Sequence, residues 1–339
     1  MKEVAVNQAV GTVLAHDLTQ IIPGQYKGPK FKKGHIITED DIPILLSMGK
    51  KHLFVLEKND TDVHENEAAY RIASKAAGEG IDLTEPSEGK IELKAAVDGL
   101  LKIDKEKLFQ LVSQDEIMFA TIHENIVVRK GEKLAGTRII PLFVSKDILC
   151  KAEAILAGEP IIKIIPLKEM RVGVVTTGSE VYNGIIEDAF GPVLIKKFGH
   201  LGSKVEKQLF ADDDEKMIAD CINQLIKEGM DIIGITGGMS VDPDDRTPAG
   251  IRRAGGEVIS YGAPVLPGAM FMLSYINDIP VVGLPGCVMY SCTSIFDLIV
   301  PRLLAGERIT KQDINKLAHG GLCLNCKVCT VPVCGFGKV

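Results

Sequence analysis

From Met170 onward the chain alternates short strand-like runs with amphipathic stretches, and this alternation limits the fold more than any other feature. VGVVTT, KVEKQLFA, DIIGIT and PVVGLPG read as strands. VGVV and DIIGI carry no polar face, as expected of strands covered on both sides. Between the runs, Phe190, Val193, Leu194 and Phe198 recur at helical spacing. Met217, Ile218, Cys221, Ile222, Leu225 and Ile226 form a second stripe, which predicts a helix over 213–227. SIFDLIVPRLLAG predicts a further helix that Gly306 ends. Strands alternating with helices predict the α/β class, here a three-layer αβα sandwich around a mostly parallel sheet.

Upstream the pattern is mixed α+β. FKKGHIITEDDIPILLSMGKKHLFVLE predicts a turn at Lys33-Gly34, a strand, and a helix capped by Thr38 with Glu39, Asp40 and Asp41 in its first turn. That helix is expected to end at Gly49, before a strand over HLFVLE. Ala68, Ala69, Ile72, Ala73 and Ala76 predict another helix. The expected division is a mixed N-terminal region over 1–168, the sandwich over 169–309 and a cysteine-rich tail over 310–339.

In open α/β sheets, ligands bind beyond the carboxyl ends of the strands. Three glycine loops fall at such ends: Thr176 to Glu180, Thr236 to Ser240 and Leu284 to Val288. Glycine there lets backbone N–H groups approach an anion. Acids accompany the loops: Glu180, Asp188, Asp212, Asp213, Asp214, Asp242, Asp244 and Asp245. Asp188 and two of Asp212 to Asp214 suit helix capping. Asp245 suits it less, because Thr247 and Pro248 already provide a cap and a first residue. An anion cradle edged with acids is coherent if the ligand is a phosphate bridged by Mg2+, which takes one or two carboxylates plus phosphate oxygens. The loops match neither the dinucleotide fingerprint nor the Walker motif.

A net charge of -6 over 339 residues, without a basic stripe, speaks against nucleic acid as a partner. No apolar run reaches spanning length, so no membrane partner is expected. MKEVAVNQAVG lacks a secretory core, so the expected location is cytoplasmic.

GVVTTGSEV, ADDDE, DIIGITGGMSVDPDDRT and VVGLPG, in this order and spacing, resemble the molybdopterin-binding domain of molybdenum-cofactor biosynthesis over roughly residues 168–305. GTVLAHDL and FKKGHIITEDDIPILLSMGKKHLFV are similar to the hinge segments of its molybdopterin molybdenumtransferase branch. The resemblance implies a transferase that binds molybdopterin or adenylated molybdopterin, inserts molybdate with magnesium and releases AMP. It implies a homo-oligomer as well. By the same resemblance the ligand lies against Thr177, Gly178, Ser179, Thr236, Gly237, Gly238, Ser240, Pro285 and Gly286. Glu180, Asp213 and Asp245 become catalytic acids, and Asp212 with Asp245 become magnesium ligands.

The chain departs from the family at GLPGCV, where Cys287 and Val288 replace Asn and Pro, and at LPGAM (Leu266 to Met270), which lacks the usual lysine. Both departures bear on molybdate insertion more than on pterin-phosphate binding. A non-catalytic carrier or sensor that docks a molybdoenzyme is therefore one alternative. DDRT resembles the competence-damage-type nucleotide pyrophosphatases, which is the other.

CLNCKVCTVPVC spaces Cys323, Cys326, Cys329 and Cys334 as C-x2-C-x2-C-x4-C. The run resembles a ferredoxin ligand set, with zinc as the rival for these four thiols. A 4Fe-4S cluster or zinc is the expected tail metal. Without it, so short a tail is expected to lack a fixed fold. Cys287 is read either as a buried core thiol or as a soft ligand beside the loop.

Overall fold

The structure, a computed structural model, describes residues 2–22, 26–56, 62–240, 242–243 and 245–338. The chain forms two compact units. The first comprises Met1–Lys94, Asp104–Ile122 and Lys133–Ile162; the second comprises Ala95–Ile103, His123–Glu132 and Lys163–Val339.

In the first unit, strands Lys2–Ala5 and His52–Val55 pair antiparallel around a core of Val6, Leu14, Phe31, Ile37, Leu45 and Leu53. The expected helix is shorter than predicted, running Asp41–Ser47. Thr38 does not cap it: its backbone N–H and its hydroxyl both donate to Asp41 Oδ2, at 2.9 and 2.8 Å. An Asp one turn into the segment closes the turn before the helix, where the dipole rewards its charge. Helix Glu65–Ala76 buries the predicted alanine and isoleucine stripe, and strands Ile81–Leu83, Lys90–Ala95, Lys133–Ile139 and Ile117–Thr121 form a four-stranded sheet.

The second unit carries the αβα sandwich. Its strands are β1 (Arg171–Thr177), β2 (Lys204–Ala211), β3 (Ile232–Thr236), β4 (Glu257–Tyr261), β5 (Met272–Ile276) and β6 (Ile279–Leu284). They lie in the order β2-β1-β3-β6-β5-β4. β2, β1, β3 and β6 are parallel, while β5 and β4 run antiparallel at one edge. The helices are α1 (Ser179–Tyr182), α2 (Phe190–His200), α3 (Glu215–Lys227), α4 (Thr247–Arg253), α5 (Cys287–Tyr290), α6 (Ile295–Leu304) and α7 (Lys311–Lys316).

Period-two alternation sends the strand side chains to two separate cores. Val172, Val174, Ile232, Val282 and Leu284 pack with Leu194 and Phe198 of α2 and Phe296, Ile299 and Val300 of α6. Val175, Ile233, Ile235 and Val281 pack with Ile218, Ile222 and Leu225 of α3 and Ile251 of α4. Helices on both faces explain why VGVV and DIIGI have no polar side.

The tail has a fold of its own making. Leu266 N–H donates to Gly321 O and Cys323 N–H donates to Leu266 O, both at 2.8 Å, so residues 321–323 run beside the LPGAM stretch. Gly337 N–H donates to Gly320 O at 2.9 Å, closing the base of a loop that carries all four tail cysteines. Phe336 is buried in the α2/α6 core, with Val331 and Cys334 packed against it. Val331 and Phe336 anchor the tail in the core of the sandwich.

Candidate functional site

Strand register brings the loops together. Thr176 pairs with Thr236, Thr236 with Leu284, and Thr177 with Ala211. The loops after β1, β2, β3 and β6 therefore leave one edge of the sheet side by side.

The first and third strand ends are locked to each other by hydroxyls. Thr177 Oγ1 donates to Thr236 O at 3.1 Å and lies 2.9 Å from Thr247 Oγ1. Thr247 Oγ1 donates to Gly237 O at 2.9 Å. Gly237 (φ +88°) is obligatory, because a Cβ there would stand 2.1 Å from Thr177 O. Gly238 (φ +52°) follows it, also at positive φ, so both positions favour glycine. Thr236 is fully buried, and among the described residues its hydroxyl has no hydrogen-bond partner. Ser240 is exposed at the end of this loop.

The acids separate into different duties. Asp214 caps α3 by accepting from Met217 N–H at 2.8 Å. Asp188 accepts from Phe190 N–H at 2.9 Å and Gly191 N–H at 3.0 Å, the expected cap of α2. Asp213 instead reaches across to the first loop, where Oδ2 accepts from Ser179 N–H at 2.9 Å. Asp212 Oδ1 accepts from Asp213 N–H at 2.8 Å. Asp245 Oδ2 accepts from Asp242 N–H at 2.9 Å, closing the turn after Ser240. Asp244 lies outside the described residues. Glu180, in the first turn of α1, is exposed at the same edge. Pro285 is buried while Gly286 is exposed, with open space around its α-carbon. Among the described residues, no three His, Cys, Asp or Glu side chains gather as one metal's ligands.

Thr247 was expected as the cap of α4. It is instead the first residue of that helix and hydrogen-bonds back into the glycine loop. Sequence reasoning missed Tyr261, whose hydroxyl donates to Ser240 O at 3.1 Å from the antiparallel edge. Burial first, and then the charge of Asp245, push that phenol above its ordinary pKa. Gln208 was missed too: its Nε2 donates to Thr176 Oγ1 at 2.8 Å and Asp188 Oδ2 at 2.6 Å. Neither residue sits in a glycine motif, so only the tertiary fold reveals them. Cys287 opens α5 half-buried, and burial pushes its thiol up. That fits a core cysteine better than a thiolate ligand.

No helix among the described residues is long and apolar enough to cross a membrane.

Residues 173–305 match the family described as a probable molybdopterin binding domain, and residues 3–57 match a domain of unknown function. A CinA-like protein of Syntrophus aciditrophicus is 34% identical over 88 residues, 26% of this chain and 20% of that protein. A molybdopterin molybdenumtransferase of Staphylococcus aureus is 24% identical over 316 residues, 87% of this chain and 70% of that protein. A solved molybdopterin biosynthesis protein from Pyrococcus horikosii is 18% identical, with a TM-score of 0.34, over 90% of this chain and 74% of its own. The chain spans 20%, 45% and 23% of the lengths of three curated relatives it matches, the Syntrophus protein among them.

Proposed function

We propose that this chain, whose residues 173–305 belong to the molybdopterin-binding domain family, binds molybdopterin or its adenylate in molybdenum-cofactor biosynthesis and inserts molybdate with release of AMP. The observation that carries the reading is the Thr177–Thr247–Gly237 lock, which holds a left-handed glycine pair at the carboxyl edge of the sheet. Backbone N–H groups of Gly237, Gly238 and Ser240 would receive the phosphate, joined by Thr177, Gly178 and Ser179 from the first loop and Pro285 and Gly286 from the third. The unpartnered Thr236 hydroxyl fits an edge built for a further polar group.

Mg2+ needs only one or two protein carboxylates when phosphate oxygens complete its shell, which supports reading the acids of this edge as its ligands. Asp212 and Asp245 would hold it, and Asp213 would keep the first glycine loop against the loop after β2. When bound, magnesium supplies charge to neutralise phosphate oxygens and ease departure of AMP. Glu180 would orient the pterin or the incoming oxyanion. The tail cysteines Cys323, Cys326, Cys329 and Cys334 would supply thiolates to an iron–sulfur cluster, with zinc as the rival. Molybdate is the co-substrate, a molybdoenzyme the acceptor of product, and a homo-oligomer the working form.

The test mixes purified protein, magnesium, adenylated molybdopterin and molybdate, and measures AMP. Stoichiometric AMP supports the transferase. No AMP with tight pterin binding sinks the enzyme and leaves a carrier. A second reading, hydrolysis of a nucleotide pyrophosphate, draws on the 34% identity to the CinA-like protein over 88 residues; it predicts cleavage of ADP-ribose by the same protein.

A further inference from the structure

Five of the chain's eight cysteines line one pocket of 440 Å³. Cys323, Cys326, Cys329 and Cys334 come from the tail. The fifth, Cys292, comes from the turn between α5 and α6, just beyond the third glycine loop. The tail reaches this place because its strand-like start pairs with Leu266, in the stretch where the resembled family carries a lysine.

We propose that Cys292 is a ligand of the tail's metal centre, an iron–sulfur cluster in which it completes the set begun by Cys323, Cys326 and Cys329. The inference rests on the reading that the tail binds a metal. In two-cluster bacterial ferredoxins a C-x2-C-x2-C triplet serves one cluster, and the fourth thiolate of that cluster comes from elsewhere in the chain. Cys292 is a thiol from elsewhere on the wall of the same pocket. It is exposed, so it is available to turn inward without unpacking a core. Cys334 lines the same pocket and is half-buried against the α2/α6 core, as Cys323 is, so the variants below decide between Cys292 and Cys334 for the fourth position.

The size of the pocket favours a cluster over one ion. A single zinc draws four sulfurs to about 2.3 Å from one point. Five cysteine residues line a pocket of 440 Å³, room for more than one ion. A cluster spreads its ligands over several irons and accepts separated thiolates. The location has a consequence for the proposed site. Cys292 and the Pro285-Gly286 loop flank the four-residue helix α5, so a ligand on Cys292 would tether the far end of the element that the third loop begins.

The experiment uses the full chain, purified without oxygen and reconstituted with ferrous iron and sulfide. Bound iron and acid-labile sulfide are counted, and the electron paramagnetic resonance spectrum is recorded after reduction. The wild type is expected to hold about four irons. Cys292→Ser is expected to lower bound iron at least about twofold or to change the reduced-state spectrum, while its thermal unfolding stays that of the wild type. Cys150→Ser, an exposed thiol on a helix of the first unit, is expected to match the wild type in both. If Cys292→Ser keeps full iron and an unaltered spectrum while Cys326→Ser or Cys334→Ser loses them, the role of Cys292 is overturned and the tail reading survives. If the wild type takes no metal, both fail; if it takes only zinc, the cluster and the role of Cys292 in it are overturned while the tail's metal reading survives.

Discussion

Thr177 and Thr247 stand 70 residues apart in sequence, yet their hydroxyl oxygens lie 2.9 Å apart at the mouth of the sheet. Two hydroxyl protons serve Thr236 O, Gly237 O and the contact between the oxygens themselves, so the pair works as one shared clamp. Thr247→Val keeps the shape and removes the donor. It leaves Gly237 O without that bond and should destabilise the protein by about 1–3 kcal/mol. Molybdopterin affinity should fall with it, roughly tenfold per 1.4 kcal/mol of distortion. Denaturant unfolding and pterin fluorescence titration on the same preparation check both numbers.

Gly237→Ala tests the loop by shape alone. The new methyl would meet Thr177 O at 2.1 Å, with φ at +88°, so backbone must move. A stability cost of about 1–3 kcal/mol is expected. Binding should suffer more than stability, because the displaced atoms are those proposed to face the phosphate. A variant that binds pterin like the wild type would remove this loop from the site.

Asp245→Asn and Asp213→Asn should part company. Asp245 is the proposed magnesium ligand, so its variant should need more Mg2+ for half-maximal AMP release, while binding pterin at wild-type affinity without the metal. Asp213 accepts from Ser179 N–H across two loops. Its variant should weaken pterin binding even without magnesium. Equal behaviour of the two would reject the division of labour.

Glu65 provides a pH signature in the first unit. Burial pushes its carboxyl above the ordinary value, helped by Asp17 and Glu88 and opposed by Arg138 and Lys33. A raised carboxyl pKa means the folded state binds the proton more tightly than the unfolded chain. Its stabilising contribution is therefore full below the unfolded pKa and is lost as pH rises through the folded one. Glu65→Gln removes that loss. The variant should match or trail the wild type in mild acid and exceed it at neutral pH, as urea midpoints at the two pH values would report.

Much of the sandwich was legible because its signals are periodic. Apolar runs such as VGVV and stripes such as Ile218, Ile222 and Leu225 report burial directly. The strand-end loops were legible as loops for a related reason, since glycine after an apolar run marks where a strand ends. Three things were not. The antiparallel edge places Tyr261 on Ser240, and strand order is not written in local sequence. The acids of ADDDE look alike in sequence, but one caps α3 and another bridges loops, a difference set only by which N–H each one meets. Cys292 looked scattered because the pocket joining it to the tail depends on the pairing of Leu266 with Gly321 and Cys323, a contact between segments far apart in sequence.

The two helical layers also divide how the second unit would register an event. Phe336, Val331 and Cys334 enter the layer that holds Phe198 and Phe296, whose rings meet edge-on at 5.1 Å. The layer of α3 and α4 lies across the sheet in a separate core. The sheet thus acts as a partition: occupancy of the tail would be heard first among the phenylalanines. Methyl resonances of Ile218, Ile222 and Ile251 would stay quiet, so one spectrum can distinguish an occupied tail from a disturbed glycine loop.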